Sequence, residues 1–364
     1  MTKCEIGKII KNRRVELGIK QSELCCGICD ESVLSRIEAG RNSGSDEIRA
    51  QLIERLGMSS AILGEQMDEK NYLVRQKIRE ANLEYCDNKL AEALEMLNAL
   101  KADYDNFSTA NKQRFCTLYT LVSYDNGDIS VEERLSSLEE SLKMTAPSYS
   151  LRNLPPLMSN MEEQILVYIA NTYILMYNYK SAARILSYAK QFVEKNFNDK
   201  IMAARELSNI CYNLSLCLGQ LKQYGESIEV ARQGIKYSRT VKNMEDLAWC
   251  MYNCAWSLLY RGGPCDKSEA RELLDSVDVI CLNKELDLKS LTERSANLRK
   301  KVFRLISVCF SFTRIAVAVR SAFTAVFVAV IVFINDDSVC CVNFIIRHIR
   351  GNCKRHYCDR NNNC

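Results

Sequence analysis

The chain has 364 residues, 47% of them hydrophobic and 26% charged, which is the composition of an ordinary globular protein with two or three domains. Its formal net charge of +4 is too small to indicate nucleic-acid binding by itself. With only 4 prolines and 14 glycines, the sequence predicts an all-α fold.

The 18 cysteines raise the question of disulfides and metals. The N-terminal residues lack the apolar stretch of a secretory signal, so we expect a reducing cytoplasmic setting with most cysteines buried as small apolar residues. The run CCGIC at 25–29 leaves a metal site open as an alternative, with Cys4 as the candidate fourth ligand. Because His348 and His356 lie far along the chain, we favour no metal and no cofactor.

The first predicted helix covers about Glu5–Leu17 and ends at Gly18. Its lysines and arginines are expected on the outer side, where they would contact phosphate or water. These residues are Lys8, Lys11, Arg13 and Arg14.

The stretch QSELCCGICDESVLSRIEAG at 21–40 is typical of two short helices joined by a tight turn. Gly27 marks the turn, because glycine adopts a left-handed backbone at little cost. Asp30 is expected to cap the second helix through its carboxylate, which would accept the amides of Ser32 or Val33. This is the geometry of a helix-turn-helix (HTH), whose second helix enters the DNA major groove.

A capped fourth helix is predicted from Ser45 to Leu56, and a fifth short helix after Ser59 and Ser60. Residues 6–58 resemble the Xre/Cro–phage-repressor type of DNA-binding domain through IGKIIKNRRVELGIKQSEL, GICDESVLSRIEAGR and SGSDEIRAQLIERLGMS. With the repeat region that follows, the chain resembles the peptide-sensing quorum regulators of the Rgg/PlcR kind over roughly residues 5 to 300.

The resemblance and the helix positions together give a set of candidate DNA-binding residues: Gln21, Glu31, Ser32, Ser35, Arg36, Arg41 and Asn42. Glu31 departs from the family pattern, although a carboxylate accepts a hydrogen bond from cytosine N4. Arg36 would bind phosphate or pair with Glu38 or Asp46. Residues 1–66 contain ten Lys/Arg and ten Asp/Glu, so one neutral head should bind weakly and a homodimer is expected.

From Glu69 onward the sequence predicts helical repeats. Three segments, at 167–189, 212–234 and 252–277, share a template of small residues that let two helices pack closely. The template repeats after 45 residues (Ile169 to Leu214) and 40 residues (Leu214 to Cys254), which exceed the ~34 of tetratricopeptide repeats (TPR). Fainter units lie at 78–100 and 115–142, and the proline-rich stretch 147–156 is a predicted loop.

Stacked helical hairpins present one wall made of their first helices. Amides on that wall suit an extended peptide backbone, and aromatic rings suit its side chains. In the resembled family such asparagines bind a short signalling peptide. The predicted peptide-binding residues are Gln164, Asn171, Asn209, Tyr212, Asn213, Tyr252, Asn253 and Trp256, with Trp249 on the same wall. Plain packing is the alternative, above all for Asn213, Asn253 and Trp256.

Residues 306–364 lack Leu, Glu, Gln, Met, Pro and Trp, which breaks the repeat pattern. We favour a frameshifted or otherwise non-native tail at 301–364 over a membrane segment at 315–334, which carries one charge, Arg320.

The sequence therefore predicts a five-helix HTH domain at 1–66, a TPR-like α-solenoid at 69–300 and the anomalous tail. The expected function is DNA-binding transcriptional regulation in the cytoplasm, controlled by a short peptide. The alternative is a protein-interaction scaffold with a vestigial HTH, anchored to a membrane if 315–334 spans one. We expect no enzyme, because no nucleophile–base pair or phosphate loop is found.

Overall fold

A computed structural model describes residues 3–41, 44–58, 69–197, 199–283 and 288–300. In these ranges the regular secondary structure is helical, which confirms the predicted all-α class. The chain divides into one compact unit that ends at Cys250 and a second that begins at Met251.

The N-terminal head has four helices in the described residues: α1 (Lys3–Glu16), α2 (Gln21–Cys25), α3 (Glu31–Glu38) and α4 (Asp46–Arg55). The Ser45 hydroxyl accepts the Ile48 amide, as predicted for the start of α4. The predicted fifth helix falls within 59–68, outside the described residues.

The core of the head is made of aliphatic side chains that the helical spacing places inward. Ile6, Ile10, Leu24, Leu34 and Leu52 are completely buried. Helices α1 and α3 touch backbone to backbone, since a Cβ added at residue 7 would lie 1.9 Å from the Ile37 carbonyl oxygen. A glycine at this position is therefore required for α3 to lie against α1.

In the described residues that follow the head, the helices form five hairpins. They are α5 (Glu69–Cys86) with α6 (Leu90–Lys101), α7 (Thr109–Asp125) with α8 (Val131–Lys143), α9 (Asn160–Leu175) with α10 (Tyr179–Asn196), α11 (Lys200–Gln220) with α12 (Tyr224–Val241), and α13 (Met244–Arg261) with α14 (Asp266–Cys281). A short 3-10 helix lies at Tyr104–Asn106, and residues 289–300 are also helical. The chain thus has the predicted TPR-like repeats, with the predicted loop at 147–156 between α8 and α9.

The template positions are buried as the repeat pattern predicts. The small residues of the three clear hairpins are fully buried: Ala170, Ala182, Ser215, Ser227, Ala255 and Ala270. In the α11–α12 hairpin the Ser227 hydroxyl donates to the Ser215 carbonyl at 2.8 Å, so these two helices are in close contact at the small residues.

Each turn within a hairpin contains one residue with a left-handed backbone. These residues are Asn88, Gly127, Tyr177, Lys222 and Gly262, with φ between 58° and 86°. Tyr177 and Lys222 hold this conformation despite its usual cost of about 1–2 kcal/mol for a residue with a Cβ. Packing of the two helices, rather than local preference, therefore sets these two turns.

The head is docked on the repeats within the first unit. At the HTH turn Gly27 has φ +72°, and a Cβ there would lie 2.0 Å from the Thr145 carbonyl oxygen. Gly57 meets the Asn196 carbonyl in the same way, at 2.5 Å. Two glycines are therefore fixed both by backbone conformation and by the approach of the repeat region.

Arg55 is the polar centre of this contact. Its guanidinium, which is 3% exposed, donates to the carbonyl oxygens of Leu24, Cys26 and Thr145 and pairs with the Glu162 carboxylate, which is 1% exposed. One side chain thereby joins α2, α4, the end of the α8 region and the first turn of α9.

The predicted tail at 301–364, including 315–334, lies outside the described residues. Among the helices that are described, none combines the length and apolar character that a bilayer-spanning segment needs.

We expect Arg55→Met to lower the free energy of unfolding by about 3–5 kcal/mol, because it leaves the Glu162 carboxylate buried and unpaired. The double variant Arg55→Met/Glu162→Met should recover most of this loss. Urea unfolding followed by circular dichroism measures both, with the exposed Arg205→Met as control. A loss no greater than that of the control would show that the buried ion pair does not hold the head.

Candidate functional site

Helix α3 presents a polar surface because its apolar residues are all used inside the head. Leu34 and Ile37 are buried and Val33 is partly buried, whereas Glu31, Ser32, Ser35 and Arg36 are exposed on consecutive turns. Four of the predicted DNA-binding side chains therefore share one solvent-facing surface of the second HTH helix, which we call the α3 face.

The start of α3 differs from the prediction in one respect. Asp30 occupies the N-cap position with an extended backbone, but its side chain makes no capping hydrogen bond. The prediction that its carboxylate accepts the Ser32 or Val33 amide is therefore wrong. Asp30 is exposed, so water competes for its carboxylate.

A buried ion pair fixes α3 against α1 and α2. Arg14 donates to both oxygens of Glu38 at 2.6 and 2.8 Å, and the Gln21 amide donates to the same carboxylate at 2.7 Å. Burial by itself would raise the pKa of Glu38, but the hydrogen bonds from Arg14 and Gln21 outweigh it and hold that pKa below its usual value. Glu38 is therefore a charged structural anchor at neutral pH.

This network changes the roles expected of four residues. Arg14 and Arg13 do not form a free basic surface, since Arg13 pairs with Glu16 at 2.9 Å. The side-chain NH₂ of Gln21 donates to Glu38, so only the side-chain carbonyl oxygen of Gln21 is left for other partners. Arg36 pairs with neither of the predicted acids, because Glu38 is bound by Arg14 and Asp46 by Arg49; its Nε donates instead to the Ser32 carbonyl at 3.2 Å.

The head is neutral by composition, but some of its cations form ion pairs and others are exposed to solvent. Arginines 13, 14, 49 and 55 are all tied to carboxylates. Lys8, Lys11, Lys20, Arg36 and Arg41 are exposed. Asn42 lies outside the described residues. The cations that remain at the surface are thus the ones available for phosphate.

The cysteines at 25–29 are free thiols that differ in exposure: Cys25 is buried, Cys29 is half-buried and Cys26 is exposed. Cys25 is buried, and burial raises its pKa; burial also raises the pKa of Cys29 to about 11. Cys4 lies against Gly40. Across the described ranges, no group of three or more His, Cys, Asp or Glu side chains is arranged to hold a metal.

A second polar surface runs along the first helices of the hairpins in the first unit, and we call it the A-helix wall. The predicted residues Gln164 and Asn171 lie on α9, and Asn209 and Tyr212 lie on α11. The Tyr212 ring packs against Trp249 of α13 with centroids 5.6 Å apart. The wall therefore carries amides on α9 and α11 and one pair of packed aromatic rings.

Some amides on this wall are already occupied. Asn213 is buried and donates to the backbone and side-chain oxygens of Asn209 at 3.2 Å, and Asn209 in turn bonds Asp246. Ser208 donates to the same aspartate at 2.6 Å. Asn209 and Asn213 are thus part of an internal network that joins α11 to α13.

Asn171 is different, because its side-chain oxygen is buried and has no hydrogen-bond partner in the described part of the chain. A buried acceptor without a donor costs about 1–3 kcal/mol. Asn171, which is half-buried as a residue, therefore carries an acceptor that the described residues leave unsatisfied.

The other three predicted peptide residues belong to the second unit. Asn253 is buried and Tyr252 is half-buried. Trp256 packs on Tyr260 with ring centroids 4.3 Å apart.

Sequence reasoning missed a pair of carboxyl groups on the A-helix wall. Glu163 is completely buried, and neither of its carboxyl oxygens has a hydrogen-bond partner among the described residues. Glu206 of α11 is half-buried beside it and receives one long hydrogen bond of 3.5 Å from Gln164. The sequence does contain a sign of this burial. Glu163 lies three positions before Leu166 and seven before Ala170, so helical spacing places it on the same buried, otherwise apolar stripe.

Burial raises the pKa of Glu163 well above its usual value, and the nearby Glu206 raises it further. Burial likewise raises the pKa of Glu206, although the hydrogen bond from Gln164 and the charge of Arg205 partly oppose the shift. Two acids that form no ion pair with the described residues therefore lie close enough to influence each other, and Arg205 supplies the charge that opposes the shift at Glu206.

The chain is similar to several solved structures. The apo form of PlcR from Bacillus thuringiensis matches 80% of this chain and 98% of its own with 17% identity and a TM-score of 0.50. PlcR in complex with the peptide PapR7 and DNA matches 82% and 99% with 17% identity and a TM-score of 0.49. The apo competence regulator ComR from Streptococcus vestibularis matches 82% and 98% with 16% identity and a TM-score of 0.44.

No family model and no curated protein matches the sequence. The likeness to apo PlcR, at 17% identity, supports the all-helical fold alone.

We expect Glu163→Gln to stabilise the protein at pH 7.5, with a melting temperature roughly 2–4 °C higher for a gain of ~1 kcal/mol. The raised pKa means that the folded state keeps a proton that the unfolded chain releases above its ordinary pKa of 4.5. Stability is therefore lost as the pH rises from 4.5 through the folded-state pKa, and glutamine removes that loss.

The gain should shrink at pH 4, where both states are protonated, and the exposed Glu229→Gln should show no such pH dependence. Differential scanning calorimetry at the two pH values measures both variants. A lower melting temperature for Glu163→Gln at pH 7.5 would mean that the carboxylate is ionised and paired.

Proposed function

We propose that this chain is a DNA-binding transcriptional regulator, active in the cytoplasm as a homodimer and controlled by a short peptide bound on the A-helix wall. The observation that carries the proposal is the α3 face, a row of exposed polar side chains on a helix whose other sides are fixed by a buried core and by the Arg14–Glu38 pair. A rigid polar helix of this kind is what major-groove recognition requires.

The α3 face offers both donors and an acceptor to base edges. The Ser32 and Ser35 hydroxyls bind either kind of partner, and the Arg36 guanidinium suits guanine or phosphate. The Glu31 carboxylate accepts from cytosine N4 and repels phosphate, so it would favour a site that presents cytosine. Lys8, Lys20 and Arg41 supply exposed charge for the phosphate backbone.

One head has few free cations, which supports binding as a dimer on two half-sites. PlcR, whose apo form shares this fold, has also been crystallised in complex with the peptide PapR7 and DNA. PlcR is therefore an example of a protein with this fold that binds both a peptide and DNA. The proposal for the present chain is argued from its own residues.

Peptide binding draws its support from the A-helix wall. The unpartnered Asn171 oxygen accepts a backbone N–H, and the Tyr212–Trp249 pair offers a surface for an apolar side chain. The same wall carries Gln164, Asn209 and Asn213. In our proposal Tyr252, Asn253 and Trp256 keep the peptide role that the sequence assigned to them.

Control of DNA binding requires that the peptide favour one arrangement of the heads over another. The first turn of α9 is suited to this role. It carries Glu162, which pairs with Arg55 of the head, and two residues further it carries Gln164 of the wall. A ligand that shifts this turn acts on the contact that holds the head.

DNA recognition is tested on duplexes selected from a random pool by the full-length protein at low salt. Arg36→Ala should weaken binding to the selected duplex about tenfold if Arg36 contacts a base, since such a pair contributes about 1–3 kcal/mol. If Arg36 contacts phosphate, the slope of log affinity against log salt should become shallower by about 0.9. Fluorescence anisotropy measures both quantities.

Arg239→Ala is the matched control, because Arg239 is an exposed arginine on α12, far along the chain from the head. Equal affinity of wild type and Arg36→Ala would remove Arg36 from the DNA contacts, whereas selection of no duplex at low salt would contradict the DNA-binding proposal and favour the scaffold alternative.

Peptide control is tested by adding a synthetic heptapeptide pool to the protein–DNA complex. Peptides that change the DNA affinity of the wild type by tenfold or more should lose most of that effect with Asn171→Ala, because the buried acceptor is removed. Gln191→Ala, an exposed amide on α10, serves as control. DNA binding that no peptide changes would separate the HTH function from peptide sensing and disprove the latter.

A further inference from the structure

Two adjacent glutamates at the start of α9 are both fully buried but differ in the hydrogen bonds and ion pairs that their carboxyl groups make. Glu162 accepts the Ser159 backbone amide at 2.6 Å with one oxygen and the Arg55 guanidinium with the other. Glu163 accepts nothing with either oxygen from the described residues. The fold therefore satisfies one carboxyl group completely and leaves its neighbour without a donor.

The nearest charged groups make the position of Glu163 less favourable still. Glu206 adds a second carboxyl, and Asp246 contributes further negative potential at Glu206. Arg205 is the cation that acts on Glu206, and it is exposed on the outer part of α11. Acidic groups thus outnumber cations next to Gln164, and the pair is held in a state that keeps a proton.

The pair has one open side. Glu206 is half-buried and reachable from solvent, whereas Glu163 is fully enclosed beside it. A cation that contacts Glu206 would also lie in the field of Glu163, in a site of lower dielectric than water, where the attraction between charges is stronger.

We propose that the Glu163–Glu206 pair is the receptor for a cationic group of the bound peptide, an ammonium or a guanidinium. This inference rests on the proposed peptide binding and adds the chemical character of the ligand. The cation pairs with Glu206 and stabilises the ionised form of the enclosed Glu163 beside it through space, so the carboxyl pair releases its proton when the cation binds.

The same helix provides a second contact at a distance that a peptide can span. Asn171 is eight residues from Glu163 on α9, or ~12 Å along the helix axis. An extended peptide covers this distance with about four residues. A ligand can therefore place its cation at the carboxyl pair and a backbone N–H at the Asn171 oxygen.

Affinity selection with the full-length protein tests the inference. The probe is a pool of random heptapeptides in four versions: unmodified, N-terminally acetylated, with lysine and arginine replaced by acetyl-lysine and citrulline, and with both changes. Retained peptides are identified by mass spectrometry, and the affinities of the best binders are measured by calorimetry. The variants are Glu163→Gln, Glu206→Gln and the exposed control Glu229→Gln.

The wild type and Glu229→Gln should favour peptides with a cation at one position by roughly tenfold or more, and both Glu163→Gln and Glu206→Gln should lose that preference. The modified pools identify which cation of the peptide binds. Acetylation of the N-terminus removes the terminal ammonium, and the side-chain changes remove the lysine ammonium and the arginine guanidinium. Calorimetry in buffers of different ionisation enthalpy should show proton release with the wild type and less with Glu163→Gln.

Each remaining outcome counts against a defined claim. Retained peptides without a cation preference, or with a preference that survives Glu163→Gln, would overturn this inference and leave peptide binding intact. A wild-type protein that retains no peptide would overturn the proposed peptide control and this inference together. Melting temperatures of the variants establish that each is folded.

Discussion

The buried Arg55–Glu162 ion pair is the interaction on which the arrangement of the first unit depends. Arg55 belongs to the last turn of α4, yet all four of its partners lie on other elements: in α2, in the turn after it, after α8 and at the start of α9. A buried guanidinium needs several acceptors, and these come together only when the head is seated on the repeats. Gly27 and Gly57 complete the fit, because a Cβ at either position would collide with the backbone of the repeat region.

The sequence was informative wherever a local rule decides the structure. Periodicity located the helices, and small residues at template positions such as Ala170 and Ser215 located the close helix contacts, because close approach excludes large side chains. The turns at Tyr177 and Lys222 could not be read in this way, since neither residue favours a left-handed backbone and tertiary packing imposes it.

Interactions between distant residues explain the remaining differences at the candidate sites. Arg14 was expected on a phosphate-facing surface, but it pairs with Glu38, 24 positions away, and nothing in the local pattern identifies that partner. Arg36 is free of the acids expected to bind it for the same reason, because Arg14 and Arg49 occupy them. The head is neutral in composition, but its cations therefore fall into two groups: those that stabilise the fold through ion pairs and those that face solvent.

The first turn of α9 joins the two candidate surfaces through neighbouring residues. Glu162 anchors the head, Glu163 lies unpaired in the wall, and Gln164 bonds Glu206 of α11. A scaffold under no other demand would be more stable with an apolar residue in place of Glu163, because an unpaired buried carboxyl costs free energy. In a regulator, a ligand that relieves this cost gains binding affinity. Because Glu163 is one residue from Glu162, the same ligand would also act on the residue that holds the head.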